Sequence, residues 1–247
     1  MNSIPIILFL FFGNSNMNGD GCGQGVFYKH DQIVYYIGPN HGFIDDPIKA
    51  GYSSKGIVYP FLESMALRFP DRKFGACKYS YASAILADFK QGENHHDRMA
   101  KDIADLKGRV IFGGAICNYG FIEGKSKILA KSFGFDAMLF INELRRLTGN
   151  ENLPVIWMRY EVNNLREDGI AAYRKYDVLI YENIESLLKS PFIHLCPIKS
   201  LPENYYCDDH HNTAAGFEIM GQDIAALYQF FGYDIKWNIK PFIMEKK

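Results

Sequence analysis

Ser15 is the residue of this chain best placed for nucleophilic chemistry. It follows an almost unbroken apolar run, Ile4 to Phe12, and stands in the turn Gly13-Asn14-Ser15-Asn16-Met17-Asn18-Gly19. A buried strand ending in a Gly/Asn-rich turn presents a hydroxyl at the edge of a sheet. Far downstream stand Asp208 and His211, spaced Asp-x-x-His. At that spacing a carboxylate can orient an imidazole, and the imidazole can take the serine proton as the hydroxyl attacks a carbonyl. Each residue also has a plain structural reading. Ser15 alone suits a turn, and His211 suits a helix start capped by Asp208 or Asp209. Asp208-Asp209-His210-His211 has the composition of a metal cluster. Four adjacent residues do not all face one ion, however, and no third ligand is evident, so no metal is expected. His95 and His96 likewise lack partners at ligand spacing.

These residues need elements to hold them. The run from Ile4 to Phe12 has no apolar/polar alternation, as expected of a central strand covered on both faces. Lys73–Tyr79, Arg109–Ile116, Pro154–Met158 and Phe192–Leu195 read as further strands, with Gln32–Ile37 a short one. Pro60–Phe69, Met99–Leu106, Ile128–Leu147 and Thr213–Phe231 carry apolar residues every three or four positions and read as helices. Arg166–Leu188 is expected to contain a helix interrupted near Val178–Ile180. Arg145-Arg146 followed by Thr148-Gly149-Asn150 gives the long helix a cationic last turn and a stop. Strands alternating with helices imply βα units. The expected fold class is therefore α/β, a three-layer α/β/α sandwich with a central, mostly parallel sheet. It is read as one domain over residues 1–247. Active sites of such sheets lie beyond the carboxyl ends of the strands, where Ser15 and the Asp208–His211 loop are both delivered.

Composition narrows the function classes. Apolar residues make up 48% of the chain, enough for a sizeable core. A net charge of -1 gives no reason to expect a nucleic-acid or membrane partner. The opening apolar run has no basic residue before it and no small-residue cleavage site after it, so it reads as a strand rather than a signal peptide. Cysteines stand at 22, 77, 117, 196 and 207. Their odd number and wide spacing point to free buried thiols in a reducing compartment, and a cytoplasmic location is expected, with secretion the less favoured alternative.

Gly13-x-Ser15-Asn16-Met17-x-Gly19 resembles the first block of the SGNH hydrolases. It is most similar to the carbohydrate-esterase branch with sialate O-acetylesterases and acetylxylan esterases. Asp208-x-x-His211-x-x-x-x-Gly216 resembles the final block of that superfamily. The resemblance implies a serine esterase acting on acetyl or short acyl esters, often on sugars, without metal or cofactor. Ser15 would be the nucleophile, His211 the base and Asp208 its orienting partner, with Asp209 and His210 as neighbouring alternatives. The partner would be a small-molecule or carbohydrate ester substrate.

The middle of the chain departs from the family pattern. An esterase needs donors aimed at the developing oxyanion. Where the family has a Gly amide after the second core strand, this chain has Ser80-Tyr81-Ala82-Ser83-Ala84, so an amide of Ala82 or Ser83 would serve. Where the branch has a Gln, this chain has Glu123, which when ionised accepts hydrogen bonds but donates none. Asn118 is the alternative donor. If Glu123 faces the oxyanion, Glu123→Gln is expected to raise activity. The altered blocks also leave open a catalytically reduced glycan- or metabolite-binding protein, and a lipase or thioesterase of the same superfamily.

Overall fold

The apolar run forms β1 (Ile6–Gly13), and everything else is layered on it. In this computed structural model the described residues are 4–20, 22, 23, 25, 27, 30–53, 56–158, 175–196, 205, 207 and 211–230. Along β1, residues 7–13 are all buried. Its side chains alternate between two hydrophobic layers, which is why the sequence shows no alternation. Ile7, Phe9 and Phe11 face one core, together with Phe61, Leu62 and Met65 of α2 (Val58–Arg68) and Phe217, Ile224 and Tyr228 of the last helix. Leu8, Leu10 and Phe12 face the other. That core is closed by α3 (Asn94–Leu106), α4 (Lys127–Thr148) and α5 (Asp177–Leu187). The last helix, α6, spans Ala214–Phe230. Phe9 meets Phe61 edge-on at 4.8 Å, and Phe12 meets Phe140 edge-on at 4.9 Å.

The remaining strands are β2 (Ile33–Tyr36), β3 (Phe43–Ile44), β4 (Lys73–Ser80), β5 (Val110–Asn118), β6 (Val155–Met158) and β7 (Ile193–Cys196). The seven-stranded sheet runs β3-β2-β4-β1-β5-β6-β7. Every pairing is parallel except β2 with β3. The molecule is thus the expected three-layer sandwich around a mostly parallel sheet. From β1 the chain crosses toward β2, whereas from β5 it crosses toward β6. The two connections leave in opposite directions, so the crevice between the carboxyl ends of β1 and β5 is the topological switch point, where α/β sheets bind ligands.

Several boundaries follow the sequence signals closely. α4 begins after Ser126, whose side chain accepts from the Leu129 N–H, and ends at Gly149 with φ 70°. Others differ. α3 starts at Asn94, because the polar stretch holding His95 and His96 is its first turn. The break expected near Val178–Ile180 lies just before it: residues 175 and 176 form a turn and α5 starts at Asp177, from which Ile180, Ile184 and Leu187 bury one continuous face. The start expected at Arg166 lies outside the described residues.

The cysteine expectation is corrected in part. Cys77, Cys117 and Cys196 are free and buried, but Cys22 and Cys207 form a disulfide, with Cα atoms 5.7 Å apart and 185 residues between them in sequence. Sequence spacing gave no sign of it, because the fold alone brings the two loops together. Among the described residues no helix is long and apolar enough to cross a membrane.

Candidate active site

Gly13, the last residue of β1, pairs with Ser80 at the end of β4 and with Asn118 at the end of β5. Three strand ends are therefore flush at the switch point. Ser15 opens the single-turn helix α1 (Ser15–Asn18) just above them and is half-buried. The turn is tightly specified. A Cβ on Gly13 would come within 2.6 Å of Met17 Cβ and 3.2 Å of Asn118 Cβ, so only glycine lets the strand end pack this closely. The Ser15 carbonyl accepts from the N–H groups of Gly19 and Asp20, both at 3.0 Å. Gly19 has φ 87°, and a Cβ there would sit 2.6 Å from Ser53 Cβ. Met17 is buried beneath the turn. Gly13, Met17 and Gly19 of the Gly-x-Ser-Asn-Met-x-Gly stretch thus each have a packing or turn role. The Ser15 hydroxyl itself has no hydrogen-bond partner among the described residues.

A polar scaffold supports the turn from below. Asn18 Oδ1 accepts from Ser80 Oγ and from Lys78 Nζ, each at 3.3 Å, and Lys78 Nζ also donates to the Gly51 carbonyl at 3.2 Å. Burial brings the Lys78 ammonium down to about 8, with the charge of Asp20 opposing the shift.

The C-terminal loop reaches the same place. Asn212 N–H donates to Asn16 Oδ1 at 3.4 Å, and the His211 carbonyl accepts from the Cys207 N–H at 2.8 Å. His211 is half-buried, one residue from that contact. The fold therefore brings the Ser15 and His211 segments together. Asp208, Asp209 and His210 lie outside the described residues.

The four oxyanion candidates are sorted by the structure. Asn118 is buried at the strand end beside Gly13; among the described residues its Nδ2 has only Met158 Sδ at 3.9 Å, and its Oδ1 is unpartnered. Ala82 and Ser83 form an exposed turn closed by Ala84 N–H donating to the Tyr81 carbonyl at 3.2 Å. Ser83 has φ 60°, the left-handed conformation that glycine adopts at no steric cost. The Tyr81 N–H donates to the Gly13 carbonyl at 3.2 Å, which ties this turn to the nucleophile turn. Glu123 is different. Its Oε1 accepts from the Leu86 N–H and its Oε2 from the Gly120 N–H, both at 3.0 Å. Burial raises its pKa, and these backbone donors work in the opposite direction. Glu123 is a strut between the loops following β4 and β5, so the expectation that it stands at the oxyanion is corrected.

Three features were not legible in sequence. Asn14, Asn118 and Asn212 all hold buried amide atoms without a hydrogen-bond partner among the described residues, an unusual concentration of unsatisfied polarity at one sheet edge. His95 stacks on Tyr81 with ring centroids 3.8 Å apart, beside the turn that follows β4. Its neighbour His96 is held between Glu143 at 2.8 Å and Asp97 at 3.1 Å, so both of its ring nitrogens are engaged. Among the described residues no group of three or more His, Cys, Asp or Glu could hold a metal ion.

Solved structures share this fold. A protein of Arabidopsis thaliana superposes with a TM-score of 0.73 at 16% identity, over 92% of this chain and 98% of that one. The fold is the one SGNH/GDSL-like hydrolases share. A carbohydrate acetylesterase from Xanthomonas citri gives 0.60 at 13% identity, over 92% of this chain and 57% of the other. An acetyl-xylooligosaccharide esterase from Geobacillus stearothermophilus gives 0.55 at 14%, over 90% and 94%. No protein-family model and no curated protein sequence matches the chain.

Proposed function

We propose that the chain is a serine-dependent carboxylic ester hydrolase that removes acetyl or short acyl groups from a carbohydrate through an acyl-enzyme. The observation that carries this reading is the placement of Ser15. It stands at the switch point, two residues beyond Gly13, which is in register with Asn118, in a turn bonded through Asn16 to the segment that carries His211. In this mechanism His211 removes the Ser15 proton as the oxygen attacks the ester carbonyl, and Asp208 orients the imidazole. The negative oxygen of the tetrahedral intermediate takes hydrogen bonds from Asn118 Nδ2 and from backbone N–H groups of Ser15 and the Ala82–Ser83 turn. His211 then protonates the departing alcohol, and water, activated by the same imidazole, releases the acid. The chain does this chemistry without a metal or cofactor. The carbohydrate preference is supported by the activities of the Xanthomonas and Geobacillus proteins.

The test is direct. Purified protein is offered p-nitrophenyl acetate and a panel of acetylated sugars, and a fluorophosphonate probe reports the reactive serine. Turnover, with labelling that disappears in Ser15→Ala, is the expected result. No turnover of any acyl ester and no label at Ser15 would remove the hydrolase reading.

A further inference from the structure

The Cys22–Cys207 bridge joins the two segments that the proposed mechanism requires to be aligned. Cys22 lies downstream of the Ser15 turn and Cys207 just upstream of His211. Around the bridge, the Cys22 carbonyl accepts from Ala214 N–H at 3.0 Å, Cys22 pairs with Thr213 as a parallel bridge, and Thr213 N–H donates to the Tyr205 carbonyl at 2.8 Å. The Cys207 N–H closes the loop onto the His211 carbonyl. Both cysteines are exposed, whereas Cys77, Cys117 and Cys196 are buried.

We propose that the Cys22–Cys207 disulfide is a positioning element for the Ser15/His211 pair and makes the site sensitive to redox state. This rests on the hydrolase reading above. Below the bridge, α6 is held independently, because Phe217, Met220, Ile224 and Tyr228 are buried in the core it shares with α2 and β1. Above it, β1 is held by β4 and β5. Loss of the disulfide therefore leaves the sheet and both layers intact. Among the described residues it leaves the segment around His211 tied to the Ser15 turn by hydrogen bonds alone, chiefly the long, buried contact of Asn212 N–H with Asn16 Oδ1 at 3.4 Å. A dithiol performs the switch. Two electrons enter the S–S bond and break it, the two sulfurs take protons and become thiols, and the dithiol closes to its own disulfide. In a reducing compartment the pair would stand as thiols and the site would be loosened; in an oxidising one it would be locked.

The experiment compares oxidised protein, protein reduced with dithiothreitol, and the double variant Cys22→Ser/Cys207→Ser. Hydrolysis of p-nitrophenyl acetate is followed across pH, and amide hydrogen exchange is read in parallel. Misalignment on the scale of an ångström costs on the order of a hundredfold in rate. The expected result is a loss of that size in kcat on reduction, with KM nearly unchanged, a displaced acid limb in the pH–rate profile, and full recovery on reoxidation. The double variant should match the reduced enzyme and ignore dithiothreitol. Exchange should quicken at residues 15–20 and 211–214 while the amides of β1 and β5 keep their protection. Equal rates, equal pH profiles and equal exchange in the two redox states would overturn the proposal. If the oxidised protein neither turns over esters nor labels at Ser15, the hydrolase reading falls, and exchange at the two segments alone decides whether the bridge holds them.

Discussion

Asn212 and Asn16 are 196 residues apart in sequence, yet the backbone N–H of the first donates to Oδ1 of the second at 3.4 Å. Each is a direct chain neighbour of a residue assigned to the chemistry, His211 and Ser15. The contact is buried, so it fixes the distance between the two segments more firmly than a surface contact of the same length. A two-ended arrangement of nucleophile and base needs such a tie, because no single element carries both.

Gly13→Ala tests how closely the strand ends must pack. The added methyl would sit 2.6 Å from Met17 Cβ, a separation that real side chains do not tolerate. Either α1 lifts or β1 and β5 part. Overpacking of this kind costs about 1–3 kcal/mol, so thermal melting should fall and fluorophosphonate labelling of Ser15 should slow. Unchanged labelling would mean that the turn does not depend on this contact.

Asn118→Leu removes the side-chain donor while keeping similar volume. Loss of one oxyanion donor lowers kcat by on the order of 10²–10³. Because Nδ2 has only a weak sulfur contact in the free protein, KM and melting temperature should change little. A fall in stability with kcat preserved would reassign Asn118 to the core.

Glu123→Gln discriminates a strut from an oxyanion neighbour. The amide keeps one acceptor oxygen but turns an NH₂ group toward a backbone N–H, of Leu86 or of Gly120. A buried donor left unsatisfied costs about 1–3 kcal/mol. The expected outcome is lower stability with no gain in turnover. A gain in turnover would return Glu123 to the site.

His96 gives the fold a pH dependence with a defined sign. Burial disfavours its charge, but hydrogen bonds to Glu143 and Asp97 outweigh burial, and its pKa is raised above 6.5. Its stabilising contribution is therefore fully present below about pH 6.5 and is lost as pH rises through the higher folded-state value. Glu143 is brought down to about 2, first by its hydrogen bonds from Arg146 and then by His96. Its own contribution is present above the ordinary carboxylate range and disappears only as pH falls toward about 2. Melting temperature followed from pH 5 to 9 should decline in the wild type relative to His96→Gln. Parallel curves would show that His96 does not titrate in this way.

The fold was largely readable because its signals are local. Nine apolar residues without alternation mark β1, and Arg145-Arg146 followed by Thr148-Gly149-Asn150 marks the end of α4. The nucleophile turn was readable too, since the constraints on Gly13, Met17 and Gly19 are all met within a few residues of Ser15. What sequence could not supply was pairing across the chain. Asn118 and Glu123 were equal candidates until strand register put one beside Gly13 and hydrogen bonding put the other between two loops. Cys22 and Cys207 looked like unrelated thiols for the same reason: their proximity is created by the sheet, and nothing in their spacing encodes it.

The central place of β1 also shapes how the chain acquires its structure. β1 is synthesised first, but both of its neighbours come later, and β5 begins only at Val110. At a translation rate of about 5–20 residues per second, an apolar strand with two unpaired edges waits roughly 5–20 s for its second partner. The segment carrying His211 emerges later still. The chain therefore carries an apolar strand with an open edge until β5 has been made, and the segments proposed for catalysis, whose Asn16–Asn212 contact spans 196 residues, meet after that.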